Sequence, residues 1–199
     1  MIAMLDTSQD FLECQKHLGG AVIEQLFTPL TRFLPQDENA HFAIDNGAFS
    51  RFNSNAYIRL LKREQHRKHL CRFAAVPDVV GSARRTVEVF HRWKKMMEGW
   101  PLALVCQNGQ EDLEIPWDEI SAVFIGGDTE WKLSSHAVGC IKAAQALGKW
   151  VHVGRVNTGD RWTYFEGLGV DSVDGSGIAR FTDTRQRLGN EIKQHKLEL

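Results

Sequence analysis

Eight short apolar segments alternate with segments of helical character along the chain, and this alternation limits the fold more than any other feature of the sequence. The predicted strands span residues 2–5, 21–26, 41–44, 72–76, 102–106, 122–125, 150–153 and 172–174. Strands that alternate with helices are typical of a parallel sheet with helical crossovers. Eight such units predict a closed α/β barrel, the compact (β/α)8 or TIM barrel. An open, doubly wound sheet is the alternative.

The length of the chain, 199 residues, fits a single barrel domain over residues 1–199. Barrels of this type begin at about 200 residues, so we expect several of the helices or loops to be minimal. The formal net charge is −1. Overall charge therefore favours neither a nucleic-acid partner nor a membrane partner, and only a local patch could bind one.

The sequence contains no run of 18 apolar residues and no basic-then-apolar leader. We therefore expect a cytoplasmic protein that does not bind membranes. The four cysteines are far apart and form no C-x-x-C pair, so neither a zinc ribbon nor a disulfide framework is predicted. Four histidines also lack the spacing of metal ligands, and we interpret them as structural or surface residues: His66, His69, His136 and His152. The sequence thus predicts no metal and no cofactor.

Polar residues or glycines follow most of the predicted strands. They are Asp45, Asp78, Gln107, the pair Gly126 and Gly127, Gly154 with Arg155, and Asp174. Because barrel active sites lie at the carboxyl ends of the strands, we expect these residues to share one mouth. One carboxylate there could act as nucleophile and another as general acid and base. An aspartate with a glutamine suits the edge of a planar heterocycle, and Phe49 could stack on its face.

Two of these features also have simpler interpretations. Asp174 begins an Asp-Gly-Ser-Gly stretch, so its side chain could merely hydrogen-bond the backbone of a turn. The pair Gly126 and Gly127 could hold a phosphate, as glycine-bearing loops in barrels often do.

Five short blocks, in this order, resemble the tRNA-guanine transglycosylase superfamily, which contains the queuine and archaeosine tRNA-ribosyltransferases. The blocks are Asp-Asn-Gly-Ala-Phe at 45–49, Val-Pro-Asp at 76–78, Val-Cys-Gln-Asn-Gly at 105–109, Ile-Gly-Gly at 125–127 and Gly-Val-Asp-Ser-Val-Asp at 169–174. The resemblance runs from about residue 41 to residue 181. The order of the blocks and their strand-end positions make the set specific, whereas each block alone is weak.

The resemblance implies a role for each matched residue. Asp174 would attack the anomeric carbon of the sugar and expel guanine, while Asp45 would shuttle the proton. Asp78 and Gln107 would bind the edge of the base. Within the substrate-binding pair of Gly126 and Gly127, the Gly127 amide would bind the carbonyl of the base, and Phe49 would stack against its face. A free 7-deazaguanine base would then enter and displace Asp174, which exchanges the base without breaking the strand.

The sequence departs from the tRNA enzymes in three ways. Those enzymes carry a cysteine-and-histidine zinc site after the barrel, which this sequence lacks. Asp128 follows the glycine pair where an apolar residue is usual, and Asp174 is followed by Gly-Ser-Gly instead of a bulkier run. The chain is therefore most similar to the compact branch that modifies DNA with deazapurines, which is often found in phages. DNA is the expected partner, with tRNA as the alternative.

A helix is predicted over about residues 55–70, and the stretch from residue 51 to residue 72 contains seven basic residues against one acid, Glu64. Such a run is ordinarily the solvated outer face of a barrel, but near a base-exchange site it could contact phosphates. The candidate phosphate contacts are Arg59, Lys62, Arg63, Arg67 and Lys68, with Arg155 and Arg180 nearer the mouth.

Three functional hypotheses follow from these residues. The first is a DNA-guanine transglycosylase that inserts a 7-deazaguanine, and the second is a nucleoside or base hydrolase that uses the same carboxylates with water. The third is a nucleic-acid or deazapurine-binding module without catalytic activity. Formation of a covalent adduct with DNA separates the first from the third, and a requirement for an incoming base separates the first from the second.

Overall fold

Eight parallel strands close into a barrel in the computed structural model of the chain, which describes residues 1–197. The strands are β1 (Ile2–Leu5), β2 (Val22–Phe27), β3 (Phe42–Ile44), β4 (Cys71–Ala75), β5 (Leu102–Cys106), β6 (Ala122–Ile125), β7 (Trp150–Val153) and β8 (Ser172–Asp174). Each strand pairs with the next, and the circle closes where Ile2 pairs with Ser172 and Met4 with Asp174. The predicted (β/α)8 barrel is confirmed, and the open sheet is excluded.

Helices surround the barrel. They are α1 (Phe11–His17), α2 (Ala48–Arg51), α3 (Ser54–Glu64), α4 (Ala83–Trp93), α5 (Thr129–Lys132), α6 (Ser135–Ala146), α7 (Gly159–Gly167), α8 (Ser176–Arg180) and α9 (Thr182–Leu197). Several begin at side-chain caps: Asn53 accepts a hydrogen bond from the Ala56 amide, and Asp128 accepts one from the Trp131 amide. None of the helices in the described part of the chain is long and apolar enough to cross a membrane.

Two crossovers of the barrel lack an α-helix within the described residues. The connection from β2 to β3 is an irregular loop, residues 28–41. The connection from β5 to β6 contains only two short 3-10 turns, Gln110–Asp112 and Trp117–Glu119. These two shortened crossovers explain how the barrel is completed in fewer than 200 residues, and they confirm the expectation of minimal connections.

Apolar residues fill two layers, one between the strands and the helices and one inside the barrel. The strands therefore read as nearly continuous apolar runs, since both of their faces are buried. The inner layer combines alanines with two large rings, and its buried members are Met4, Leu26, Ala43, Phe73, Ala75, Ala103, Val105, Ala122 and Phe124. The rings of Phe73 and Phe124 meet edge to face at 6.2 Å. Because the interior is filled in this way, a ligand can enter only above it, at the ends of the strands.

The predicted helix over residues 55–70 is wrong at its end. α3 stops at Glu64, and residues 65–70 form a 3-10 turn in which Arg67 leaves helical geometry (φ −121°, ψ 23°). The side chain of Arg67 turns inward, where it is 3% exposed, donates to Glu64 Oε2 at 2.7 Å and covers the Phe42 ring at 4.3 Å. The burial of this ion pair against an aromatic ring accounts for the break, which the run of charges does not reveal.

Candidate active site

A pocket of about 180 Å³ lies at the carboxyl ends of the strands. Every strand contributes a residue at or just after its end: Asp6, Thr28, Asp45, Asp78, Gln107, Gly126, Gly154 and Asp174. A cavity of about 150 Å³ holds one benzene ring, so the volume suits one planar aromatic ring system. Of the residues predicted from the sequence, the pocket is lined by Asp45, Phe49, Asp78, Gln107, Gly126, Arg155, Asp174 and Arg180.

Asp174 is held by two donors from the neighbouring strand end. The Arg155 amide donates to Oδ1 at 2.9 Å, and His152 Nε2 lies 3.1 Å from Oδ2. Burial raises the pKa of Asp174, but the hydrogen bonds from His152 and the Arg155 amide, with the charge of Lys132, lower it, and the pKa lies below its ordinary value. Asp174 is therefore an ionised carboxylate in a pocket, the state that a nucleophile needs.

Asp45 faces the same pocket in the opposite electrostatic state. Burial and the charge of Asp174 raise the pKa of Asp45 to about 7, with a smaller contribution from the charge of Asp78, although the backbone amides of Gly47, 3.3 Å from Oδ1, and Asn46 oppose the shift. Gly47 adopts a left-handed conformation (φ 75°), with Pro29 3.1 Å from the position of a Cβ. Asp45 therefore holds a proton near neutral pH and can release it, as a general acid and base does.

Asp78 and Gln107 form a hydrogen-bonded pair beside Asp45. Gln107 Nε2 donates to Asp78 Oδ2 at 2.6 Å, and Asn46 Nδ2 donates to Asp78 Oδ1 at 2.9 Å. The Gly81 amide donates to Gln107 Oε1 at 3.2 Å, which fixes the orientation of the glutamine amide. Burial raises the pKa of Asp78, while the bonds from Asn46 and Gln107 lower it. The carboxylate oxygens of Asp78 keep further lone pairs for N–H groups of a ligand.

The structure contradicts the prediction that the Gly127 amide binds a base carbonyl. The amides of Gly126 and Gly127 both donate to Cys106 O, at 2.9 and 3.2 Å. Gly127 does not line the pocket, and a Cβ there would lie 2.4 Å from Trp131. The glycine pair therefore permits close packing, and its engaged amides do not form the phosphate site considered as the alternative.

Arg155 connects the glycine pair to Asp174 and Phe49. Its guanidinium donates to Gly126 O and Gly127 O at 2.7 and 2.6 Å and lies 4.4 Å from the centre of the Phe49 ring. Its backbone has a positive φ of 63°, which is unusual for a residue with a Cβ. This conformation directs the Arg155 amide to Asp174. Phe49 remains 65% exposed at the pocket.

The basic residues of α3 and the following turn do not reach the pocket. Arg59 and Lys62 are exposed on the outside of the barrel, where their predicted phosphate contacts stay a prediction. Arg63 pairs with Glu64 at 2.5 Å, and Lys68 lies beside Gly99, before β5 and so at the opposite end of the barrel. Arg67 is the clear correction, because its buried ion pair with Glu64 excludes contact with a polymer.

Three polar residues near the site were not predicted from the sequence. Asp6 lines the pocket and accepts hydrogen bonds from the Thr31 and Thr28 hydroxyls at 2.6 and 3.3 Å, and burial raises its pKa. It directly follows β1, so the strand-end rule applied to the first strand identifies it. His152 and Lys132 do not follow a strand end, so the strand-end rule does not identify them. His152 lies within β7 and Lys132 lies within α5.

Lys132 is buried behind the site. It is 2% exposed, and its Nζ donates to Gly154 O at 2.5 Å. Burial and the charge of Arg155 lower the pKa of Lys132 to about 8, although the charge of Asp174 opposes this.

Within residues 1–197, no three His, Cys, Asp or Glu side chains are grouped so that they could hold a metal ion.

No family model and no curated protein sequence matches the chain. Solved structures resemble it at low identity. A mandelate oxidase variant with a monooxide FMN adduct has a TM-score of 0.54 and 14% identity, covering 97% of this chain and 73% of that chain. A flavocytochrome b2 variant has a TM-score of 0.52 and 10% identity, covering 97% and 62%. Phosphoribosyl anthranilate isomerase from Thermus thermophilus has a TM-score of 0.47 and 11% identity, with 98% of both chains covered. At these identities the likeness to the oxidase and the flavocytochrome establishes the barrel fold alone.

Proposed function

We propose that the protein is a guanine base-exchange transglycosylase that inserts a 7-deazaguanine into DNA. The observation that carries this proposal is a pair of carboxyl groups in one pocket whose pKa values are shifted in opposite directions. The pKa of Asp174 lies below its ordinary value, and the pKa of Asp45 is raised to about 7. Two aspartates in such opposed states supply a nucleophile and a proton carrier at the same pH.

The first half of the reaction removes guanine. The ionised carboxylate of Asp174 attacks the anomeric carbon of the target nucleotide, and the bond from that carbon to the base breaks. The electron pair of this bond leaves with the base, which takes the proton held by Asp45. The nucleic acid is then linked to Asp174 through an ester, and Asp45 is ionised.

The second half restores the free enzyme. A 7-deazaguanine occupies the vacated position, gives a proton to Asp45 and attacks the anomeric carbon. Asp174 leaves as a carboxylate, so the cycle consumes one base and releases another with no net change of charge or redox state. No cofactor takes part in these steps.

The hydrogen-bonding side chains beside Asp45 support a purine-like base as the ligand. Asp78 offers acceptors to N–H groups, Gln107 holds the Asp78 carboxylate in place, and exposed Phe49 provides an aromatic face at the mouth. The same edge suits guanine and a 7-deazaguanine, because the exchange of a ring nitrogen for carbon at position 7 leaves the pyrimidine edge unchanged.

Two arginines at the mouth support a polymeric substrate. Arg155 and Arg180 line the pocket, although the net charge of the chain is −1. Phosphate contacts supply most of the nonspecific affinity of a protein for nucleic acid. A base inside a duplex cannot reach Asp174, so the target nucleotide must be extruded or already single-stranded, at a cost of a few kcal/mol.

Mass spectrometry of nucleosides from DNA incubated with the protein and candidate 7-deazaguanine bases tests this function. We expect a 7-deazaguanine deoxynucleoside and an equal amount of free guanine. Guanine release without an incoming base indicates a hydrolase, and binding without product indicates a binding module. Exchange in a matched tRNA sample but not in DNA would reassign the polymer and keep the chemistry.

A further inference from the structure

His152 lies inside the barrel, directly below the proposed nucleophile. It is 0% exposed, with the centres of the Phe73 and Phe124 rings 4.9 and 4.5 Å from its own. Its two ring nitrogens have different neighbours: Nδ1 is 2.9 Å from Ser172 Oγ, and Nε2 is 3.1 Å from Asp174 Oδ2. The proposed reaction assigns this residue no step, yet it bonds the carboxylate of Asp174 from within the barrel interior.

The order of donors and acceptors below Asp174 fixes where the imidazole carries its proton. The Trp150 indole N–H can only donate, and it donates to Ser172 Oγ at 2.8 Å. Ser172 is 0% exposed, so its own hydroxyl hydrogen needs a buried acceptor. Among the described residues, the acceptor within reach is His152 Nδ1. Nδ1 must then be unprotonated, and Nε2 carries the hydrogen that points at Asp174.

The doubly protonated and the Nδ1–H forms of His152 break this chain. In either form Nδ1 is a donor, and the Ser172 hydroxyl hydrogen loses its acceptor in the barrel interior. A buried polar hydrogen without a partner is unfavourable, so both of these forms are disfavoured. The neutral Nε2–H tautomer instead satisfies Trp150, Ser172, His152 and Asp174 together.

We propose that His152 is a positioning residue, which holds the Asp174 carboxylate from inside the barrel and aims it at the anomeric carbon. This inference rests on the proposed function and deepens it. With the Arg155 amide on Oδ1 and His152 on Oδ2, both carboxylate oxygens are fixed, and the carboxylate plane cannot rotate freely. His152 transfers no proton in this scheme, because Nδ1 only accepts from Ser172 and Nε2 only donates to Asp174.

Two substitutions separate positioning from simple core packing. His152→Phe keeps an aromatic ring between Phe73 and Phe124 but removes the donor, whereas His152→Gln keeps an N–H near the position of Nε2. We expect His152→Phe to lower kcat for base exchange on the order of 10- to 100-fold, because misplacement of a reacting group by about 1 Å can cost about 10²-fold in rate. The KM for the 7-deazaguanine base should stay within about twofold, and His152→Gln should recover part of the lost kcat.

The inference is overturned if folded His152→Phe exchanges bases at the wild-type rate, or if folded His152→Gln is no faster than His152→Phe. A fall in kcat that the glutamine variant partly restores supports it. Thermal unfolding of each variant shows whether it is folded under the assay conditions.

A measurement on the free protein decides the tautomer without any assay of activity. The ¹⁵N shifts of His152 should show Nε2 protonated and Nδ1 unprotonated near pH 7, and Ser172→Ala should remove the preference by deleting the hydroxyl. Protonation of Nδ1 in the wild type overturns the inference. If the wild-type protein shows this tautomer but exchanges no base, the proposed function fails while the hydrogen bond from His152 to Asp174 stands.

Discussion

The end of β8 and the end of β3 each present an aspartate to the same pocket, yet the two ends surround it differently. Asp174 at β8 receives hydrogen bonds from Arg155 and His152 and lies near the Lys132 charge. Asp45 at β3 is bonded by the backbone amides of Gly47 and Asn46, the former at 3.3 Å, and lies near two other carboxylates. The residue type is the same, so the neighbouring donors and charges decide which aspartate attacks and which carries the proton.

The difference extends to the helices that follow the two strands. α8 follows β8 and ends at Arg180, which lines the pocket, whereas α3 follows β3 by way of α2 and carries its basic side chains on the outside of the barrel. Of the basic residues on α3 and α8, Arg180 is therefore the one that lines the pocket. The predictions below test this division, starting with the largest expected effect.

Replacement of the β8 aspartate should abolish the reaction. Asp174→Asn removes the nucleophile but keeps a side chain of the same shape, so we expect the fold to persist and base exchange and the covalent adduct to disappear. Denaturing electrophoresis of the protein with guanine-containing DNA, together with nucleoside mass spectrometry, measures both. Exchange at a rate comparable to the wild type would show that another group attacks.

Replacement of the β3 aspartate should slow the reaction without abolishing it. Loss of a general acid or base typically costs about 10²–10⁴-fold in rate, and we expect Asp45→Asn to slow base exchange within this range. Single-turnover kinetics with Asp174→Asn as the inactive reference gives the comparison. A wild-type rate for Asp45→Asn would remove it from the proton transfer and break the division of roles.

The raised pKa of Asp45 should also appear in the stability of the free protein. Its folded-state pKa is about 7 and its ordinary value is 3.8, so between these values the folded protein keeps a proton that the unfolded chain has lost. Stability from this group therefore falls as pH rises from about 4 to 7. The Tm of Asp45→Asn relative to the wild type should increase over this interval. A difference that is constant with pH would show that Asp45 titrates normally.

The smallest expected effect concerns the arginine on the β8 side. Each phosphate contact that is lost lowers the slope of log affinity against log salt by about 0.7 to 0.9. We expect Arg180→Gln to lower the slope for DNA by about one such step, while the matched variant Lys62→Gln on α3 leaves it unchanged. Binding titrations at several salt concentrations give both slopes. A lower slope for Lys62→Gln with an unchanged slope for Arg180→Gln would place the bound DNA strand along α3.

The sequence predicts the barrel well because its strands are buried on both faces. Each predicted strand agrees with an observed one to within about a residue at either end, since a short apolar run bounded by polar residues leaves little choice of limits. The helix over residues 55–70 fails for a different reason. The inward turn of Arg67 depends on Glu64 and Phe42 as partners in three dimensions, and no periodicity of charge encodes it.

The candidate site is predictable where chain position alone places a side chain in the mouth, as it does for Asp45 and Asp174. The site is not predictable where the role of a group depends on its hydrogen-bond partner in three dimensions. The Gly127 amide follows a strand but donates to Cys106, and His152 looks like any histidine among apolar residues until Ser172 and Asp174 are placed beside it.

The missing helix between β2 and β3 determines which part of the barrel is expected to open first. Over Phe27 the outer wall is made of the guanidinium groups of Arg63 and Arg67, at 5.1 and 5.2 Å from the ring centre, in place of an apolar helix face. A wall with less apolar contact opens at lower free energy, so amide hydrogens of β3 should exchange with solvent before those of β8, whose crossover contains α7. In such fluctuations the strand that carries the proton carrier loosens first, and the strands that hold the nucleophile stay closed.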